Sequence, residues 1–204
     1  LRVGSSVRGA SDTALVASSL AEVRSSKNIS ASIGIDSAHV AISGRIRIRE
    51  GSVRSAEDVA AVRAGLADGT IDAIATDHAP HTADVKEAPF DHAPCGMLGL
   101  ETALALGITE LVEPGILTLT EFMAKMSWNP ASIARIDDIH GRTIEADAPA
   151  HLVIFDPALE WTVDPAALAS KSHNTPYAGR VVRGKVRHTF LCGVPTVLDG
   201  EAQR

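Results

Sequence analysis

Cysteine is nearly absent: only Cys95 and Cys192 occur in 204 residues. So few exclude a disulfide framework, and their separation excludes a Cys-x-x-Cys zinc site. A reducing cytoplasm is the compartment that such usage implies. No apolar run approaches the roughly 18 residues that cross a bilayer, and the first residues lack the charged-then-apolar pattern of a signal peptide. Basic clusters are missing as well. The net charge is −6 and the isoelectric point is near 5.7, which disfavours non-specific binding to nucleic-acid phosphates. No aromatic residue precedes Phe90, and no internal repeat, low-complexity tract or flexible linker interrupts the chain.

The chain is 45% hydrophobic, enough for one domain with a sizeable core. A complete (β/α)8 barrel needs about 250 residues, so this length cannot hold one together with the β-rich tail described below. The chain also starts at Leu1 rather than at methionine. The expectation is the C-terminal part of a longer protein, or a truncated product.

The most informative stretch is residues 71–81, IDAIATDHAPH. A short apolar run bounded by turn signals predicts a buried strand over 71–76, and Pro80 stops regular pairing. Asp77, His78 and His81 then sit where a strand leaves a sheet, the place where α/β barrels gather catalytic groups. An Asp-His pair alone serves equally well as a cap or a solvated loop. The complete hexapeptide TDHAPH is far more specific.

With Lys86, with Ala93-Pro94-Cys95-Gly96-Met97-Leu98-Gly99-Leu100-Glu101-Thr102-Ala103, with Asn129-Pro130-Ala131, and with the runs AHLVIFDP (150–157) and SHNTPY (172–177), this hexapeptide resembles class I dihydroorotase of the amidohydrolase superfamily. The resemblance covers residues 55 to 200. It implies an α/β fold, a partial TIM (β/α)8 barrel of the metal-dependent hydrolase type with a small C-terminal β domain. It implies Zn2+ as cofactor and N-carbamoyl-L-aspartate or dihydroorotate as substrate. Asp77 would be both a metal ligand and the catalytic acid–base group, passing a proton from water to the leaving nitrogen. His81 would meet the substrate carboxylate, and the backbone of Cys95 and Gly96 would address the substrate ring. Cysteine stands at position 95 where the family usually has phenylalanine. His78 is expected to play a supporting role.

Residues 1–54 do not share the resemblance. The resemblance implies metal-binding histidines and an asparagine-proline-proline-leucine-arginine segment in this interval; here His39 is the only histidine before His78, and the chain contains no His-x-His. Catalytic zinc takes at least three protein ligands. The chain by itself is therefore expected to bind zinc poorly. Within 1–54, Ala14, Leu15, Val16, Leu20 and Val23 suggest a helix face, while 29–35 and 40–48 alternate like strands.

The remainder divides into 55–139, read as barrel, and 140–204, read as β domain, with 1–54 replacing middle barrel strands. Ser55 caps a helix over 55–68 that buries Val59, Val62 and Leu66 and stops at Gly69. Residues 82–96 form a loop. Helices follow over 97–106, ended by Gly107, over 120–127, and after an Asn129 cap with Pro130 at the first position. Strands are expected at 151–155, 161–163, 181–182, 186–191 and 195–198, with Gly184 and Gly193 at turns.

Besides dihydroorotase, another cyclic amidase such as allantoinase or a hydantoinase fits the motifs. So does an inactive dihydroorotase-like partner of aspartate transcarbamoylase. A homo-oligomer is a further expectation.

Overall fold

The computed structural model describes residues 15–17, 55–89, 92–141 and 143–203. Helix α1 (Ala56–Ala67) begins as expected. The Ser55 hydroxyl accepts from the Asp58 N–H and the Asp58 carboxylate accepts from the Ser55 N–H, a reciprocal pair that satisfies two free donors of the first turn. Gly69, at φ 83°, ends it. Val62 and Leu66 are buried, and Val59 packs beside them.

The expected strand over 71–76 forms no ladder with any described residue. Helical groups satisfy its backbone instead. The Ile71 N–H donates to the Gly65 carbonyl at 2.8 Å and the Ile74 N–H to the Lys125 carbonyl at 2.9 Å. The buried Lys125 ammonium donates to the Ile71 carbonyl at 2.6 Å, and the Asn129 side chain to the Asp72 carbonyl at 2.8 Å.

The short helix α2 (Ala83–Lys86) lies in the 82–96 loop. Helix α3 (Ala103–Gly107) starts six residues later than the sequence predicts, and Gly107 does not stop it: a π-helical turn, Ile108–Val112, continues the run. Gly107 is there for space, since a Cβ would lie 2.1 Å from the ring of Phe122. The next run also continues where two helices were expected. Helix α4 (Leu119–Met123) passes through a π turn (Ala124–Trp128) into α5 (Asn129–Ala134). Asn129 is thus no cap; its amide is used on Asp72.

Among the described residues five strands form an antiparallel meander in sequence order: β1 (Leu15–Ala17), β2 (Leu152–Thr162), β3 (Val181–Leu191), β4 (Val194–Leu198) and β5 (Glu201–Ala202). Leu15 and Val16 pair with Phe155 and Ile154, so this piece is strand rather than helix; Leu20, Val23 and the stretches 29–35 and 40–48 lie outside the described residues. Two expected strands merge into β2 across a bulge between Asp156 and Glu160. There the Asp156 carboxylate takes the N–H groups of Ala158 and Leu159, leaving room for Pro157. Likewise β3 runs through Gly184 without a turn; a Cβ there would lie 2.4 Å from Ile108.

Two apolar clusters join sheet to helices. Phe122 and Phe155, both 0% exposed, centre the first with Val62, Leu66, Ile108 and Met126. Ala105, Leu106, Val163, Tyr177 and Val182 make the second. Burying one such large side chain stabilises by about 1.5–3 kcal/mol. This wall is the support on which the candidate site rests.

Candidate active site

Three segments without regular structure meet against the wall: 76–81, 94–100 and 172–175. Their contact begins at Thr76. A Cβ on Gly99 would lie 2.9 Å from the Thr76 carbonyl oxygen, so only glycine lets the two backbones approach this closely. Asp77 follows, exposed, at φ 42°. Aspartate tolerates that left-handed conformation better than most residues, and such backbone costs about 1–3 kcal/mol where it occurs.

His78 holds the next contact. Its Nδ1 accepts the N–H groups of Gly99 at 3.1 Å and Leu100 at 3.4 Å, just ahead of α3. An Nδ1 that accepts leaves the ring hydrogen on Nε2. The Ala79 N–H donates to the Met97 carbonyl at 2.9 Å. His81 then turns toward the loop, and its Nε2–H donates to the Cys95 carbonyl at 3.0 Å. Gly96, at φ 125°, closes the contact; a Cβ there would lie 2.6 Å from that of Ala79.

The structure thus brings His81, Cys95 and Gly96 into one hydrogen-bonded unit, with Asp77 on the same strap as His81. The Cys95 and Cys192 thiols are both free. Two residues quoted within the motifs, but given no role from sequence, complete the unit. The Lys86 ammonium donates to the carbonyls of Pro94 at 3.0 Å and Gly96 at 3.2 Å, drawing the loop's two ends together. Asn174 reaches in from the third segment and bonds to Ala79, His81 and Gly96. Its sequence signal was its place in the SHNTPY run (172–177). Glu101 acts elsewhere, taking the N–H groups of Ala169 and Ser170. Thr102 is buried and hydrogen-bonds to the Gly99 carbonyl.

Asp84, at the start of α2, is held below the usual carboxylate value chiefly by the Thr82 hydroxyl. Far from the site, burial lowers His151, and the neighbouring His140 adds to the effect. His151 touches Cys192 through its ring, and His188 accepts the Asp199 N–H, so both serve the sheet.

Zinc does not fit the described residues by themselves. Among them no three His, Cys, Asp or Glu side chains converge as a metal needs, and Asp77 offers one carboxylate. No helix among the described residues is long and apolar enough to cross a membrane.

The Asp77 carboxylate is exposed on the same strap as the His81 imidazole, whose ring is bonded to the Cys95 carbonyl. Residues 12–196 match the amidohydrolase family, and the chain belongs to it. That match starts well before Ser55, where the motif resemblance begins. Within the family the chain is similar to the dihydroorotase of Pelotomaculum thermopropionicum, at 55% identity over 147 residues, 72% of this chain and 34% of that protein. It is 46% identical to the dihydroorotase of Streptomyces coelicolor over 149 residues, 73% of this chain and 35% of that protein. Among solved structures, the L-hydantoinase (dihydropyrimidinase) of Arthrobacter aurescens superposes with a TM-score of 0.69 at 30% identity, over 76% of this chain and 35% of that one. The fold is therefore of the amidohydrolase, TIM-barrel type. The chain spans about a third of the length of the curated relatives it matches.

Proposed function

We propose that this chain is the substrate-recognising portion of a dihydroorotase, which interconverts N-carbamoyl-L-aspartate and (S)-dihydroorotate in pyrimidine synthesis. The observation that carries the reading is the His81–Cys95–Gly96 unit beside Asp77. In the hydrolytic direction water adds to the ring carbonyl, the carbon–nitrogen bond breaks, and a proton passes from the water to the departing nitrogen. Asp77 is the group that would take and return that proton. His81 donates to the neutral Cys95 carbonyl. A substrate carboxylate is a stronger acceptor, because charge-assisted hydrogen bonds are about twice as strong as neutral ones. Binding would then exchange the His81–Cys95 bond for a His81–carboxylate bond and free the Cys95 carbonyl for an N–H of the ring.

In this reading residues 55–139 belong to the barrel and 140–204 form the small β domain, while 1–54 replace middle barrel strands apart from Leu15–Ala17, which pair with β2. Zn2+ enters through Asp77 as one ligand. The described residues do not supply the rest, so no catalytic step is assigned to it. The free cysteines accord with a cytoplasmic setting.

Calorimetric titration with dihydroorotate, with allantoin and hydantoin as competitors, tests the assignment. Saturable binding that prefers dihydroorotate and is lost in His81→Ala supports it. Absence of binding, or binding indifferent to His81, overturns it. A second reading, an inactive dihydroorotase-like partner of aspartate transcarbamoylase, is favoured by the lack of a three-ligand cluster among the described residues. Co-purification with the transcarbamoylase, without turnover in added zinc, would select it.

A further inference from the structure

We propose that Asn174 is the positioning residue that sets His81 and the Cys95–Gly96 backbone for substrate, an inference that rests on the dihydroorotase reading. Its amide is used from both ends. The side-chain Oδ1 accepts the His81 N–H at 3.1 Å, and Nδ2 donates to the carbonyls of Ala79 at 2.9 Å and Gly96 at 3.3 Å. Its own carbonyl accepts the N–H of the buried Leu98 at 3.2 Å. One residue thus touches both straps whose relative placement decides where the imidazole and the Cys95 carbonyl point.

No strand ladder does this work, because both straps lack regular structure at these positions. Lys86 grips only the carbonyls of Pro94 and Gly96, and His78 grips only the 99–100 turn. Asn174 is itself anchored from behind. The Tyr177 N–H bonds to the Thr175 hydroxyl, and Tyr177 is buried in the second apolar cluster with Leu106 and Val182. His173, on the other side, donates to the Pro165 carbonyl at 2.7 Å. The sheet core therefore fixes Asn174, and Asn174 fixes the site.

The chemistry of the amide makes the idea separable from general stability. Aspartate keeps an acceptor for the His81 N–H but turns the donor into an oxygen facing two carbonyls. Amide hydrogen exchange on the ligand-free chain, with a urea transition for global stability, reads both variants. In Asn174→Ala, exchange at His81 and Leu98 should rise about tenfold or more while α1 and β3 stay protected. In Asn174→Asp, His81 should keep most of its protection while residues 95–97 open. Affinity for dihydroorotate should fall about tenfold in both, the loss expected when a part-buried hydrogen-bond partner goes. Unchanged exchange at His81 in Asn174→Ala would overturn the proposal. So would unchanged affinity, or loss of the whole fold in both variants, since a positioning residue leaves the core intact. If the unaltered chain fails to bind dihydroorotate, the dihydroorotase reading falls, and the exchange pattern alone judges Asn174.

Discussion

The wall and the site face of this chain are held together by different forces. Behind, Phe122, Phe155, Leu66 and Val182 are almost completely buried, and apolar contact fixes how helix meets sheet. In front, residues 76–81 and 94–98 are mostly half-exposed and are placed by single hydrogen bonds from His78, His81, Lys86 and Asn174. The wall is fixed by many apolar contacts shared among several side chains. On the face, each polar side chain sets a particular group. That difference separates what a change to stability does from what a change to recognition does.

The comparison can be tested by striking each region in turn. The largest effect should come from the wall. Phe122→Ala leaves a cavity beneath α3 and should cost about 3–5 kcal/mol in urea unfolding, with exchange rising across wall and face together. A smaller cost is expected from Gly99→Ala, whose Cβ meets the Thr76 backbone at 2.9 Å. About 1–3 kcal/mol is typical of such crowding, and exchange should rise first at Ala79 and Leu100. If Gly99→Ala instead loosens the helices before the face, the division between the regions is wrong.

The smallest expected effect concerns pH. Burial lowers His151 below its ordinary value of 6.5. The unfolded chain therefore takes up a proton at this residue before the folded chain does, so stability is lost as pH falls through about 6.5 and continues to fall toward the folded value. The urea midpoint should drop between about pH 7.5 and 5.5, and His151→Asn should lessen that drop. Because His151 lies just before β2 and contacts Cys192 rather than the site straps, the ligand preference of the face should be unaffected by the substitution.

How much of this was legible in the sequence follows the same division. The Ser55 cap, the Gly69 stop and the α1 face all follow from local pattern, and the structure keeps them. The strands of the meander were visible too, except that Asp156 and Gly184 let two pairs of short strands run on as single long ones. The 71–76 segment, expected as a strand, forms no ladder among the described residues. Its apolar pattern reports burial, whereas its hydrogen bonds go to Lys125 and Asn129, more than fifty residues away. Gly107 was misread as a helix end for a similar reason, because what demands glycine there is the ring of Phe122 across the core. At the site, TDHAPH and Cys95-Gly96 were readable as motifs. The contributions of Asn174 and Lys86 were not, because an amide or ammonium that joins two distant straps leaves no periodic trace.

The central claim is that the His81–Cys95 pair opens to admit a substrate carboxylate. Nitrogen-detected NMR of the histidine rings during titration with dihydroorotate tests it most directly. The account predicts a saturable shift of the His81 Nε2 signal together with the Gly96 amide, while His151 and His188 stay still. Saturation that leaves His81 and Gly96 unmoved, with shifts elsewhere in the chain, would contradict it.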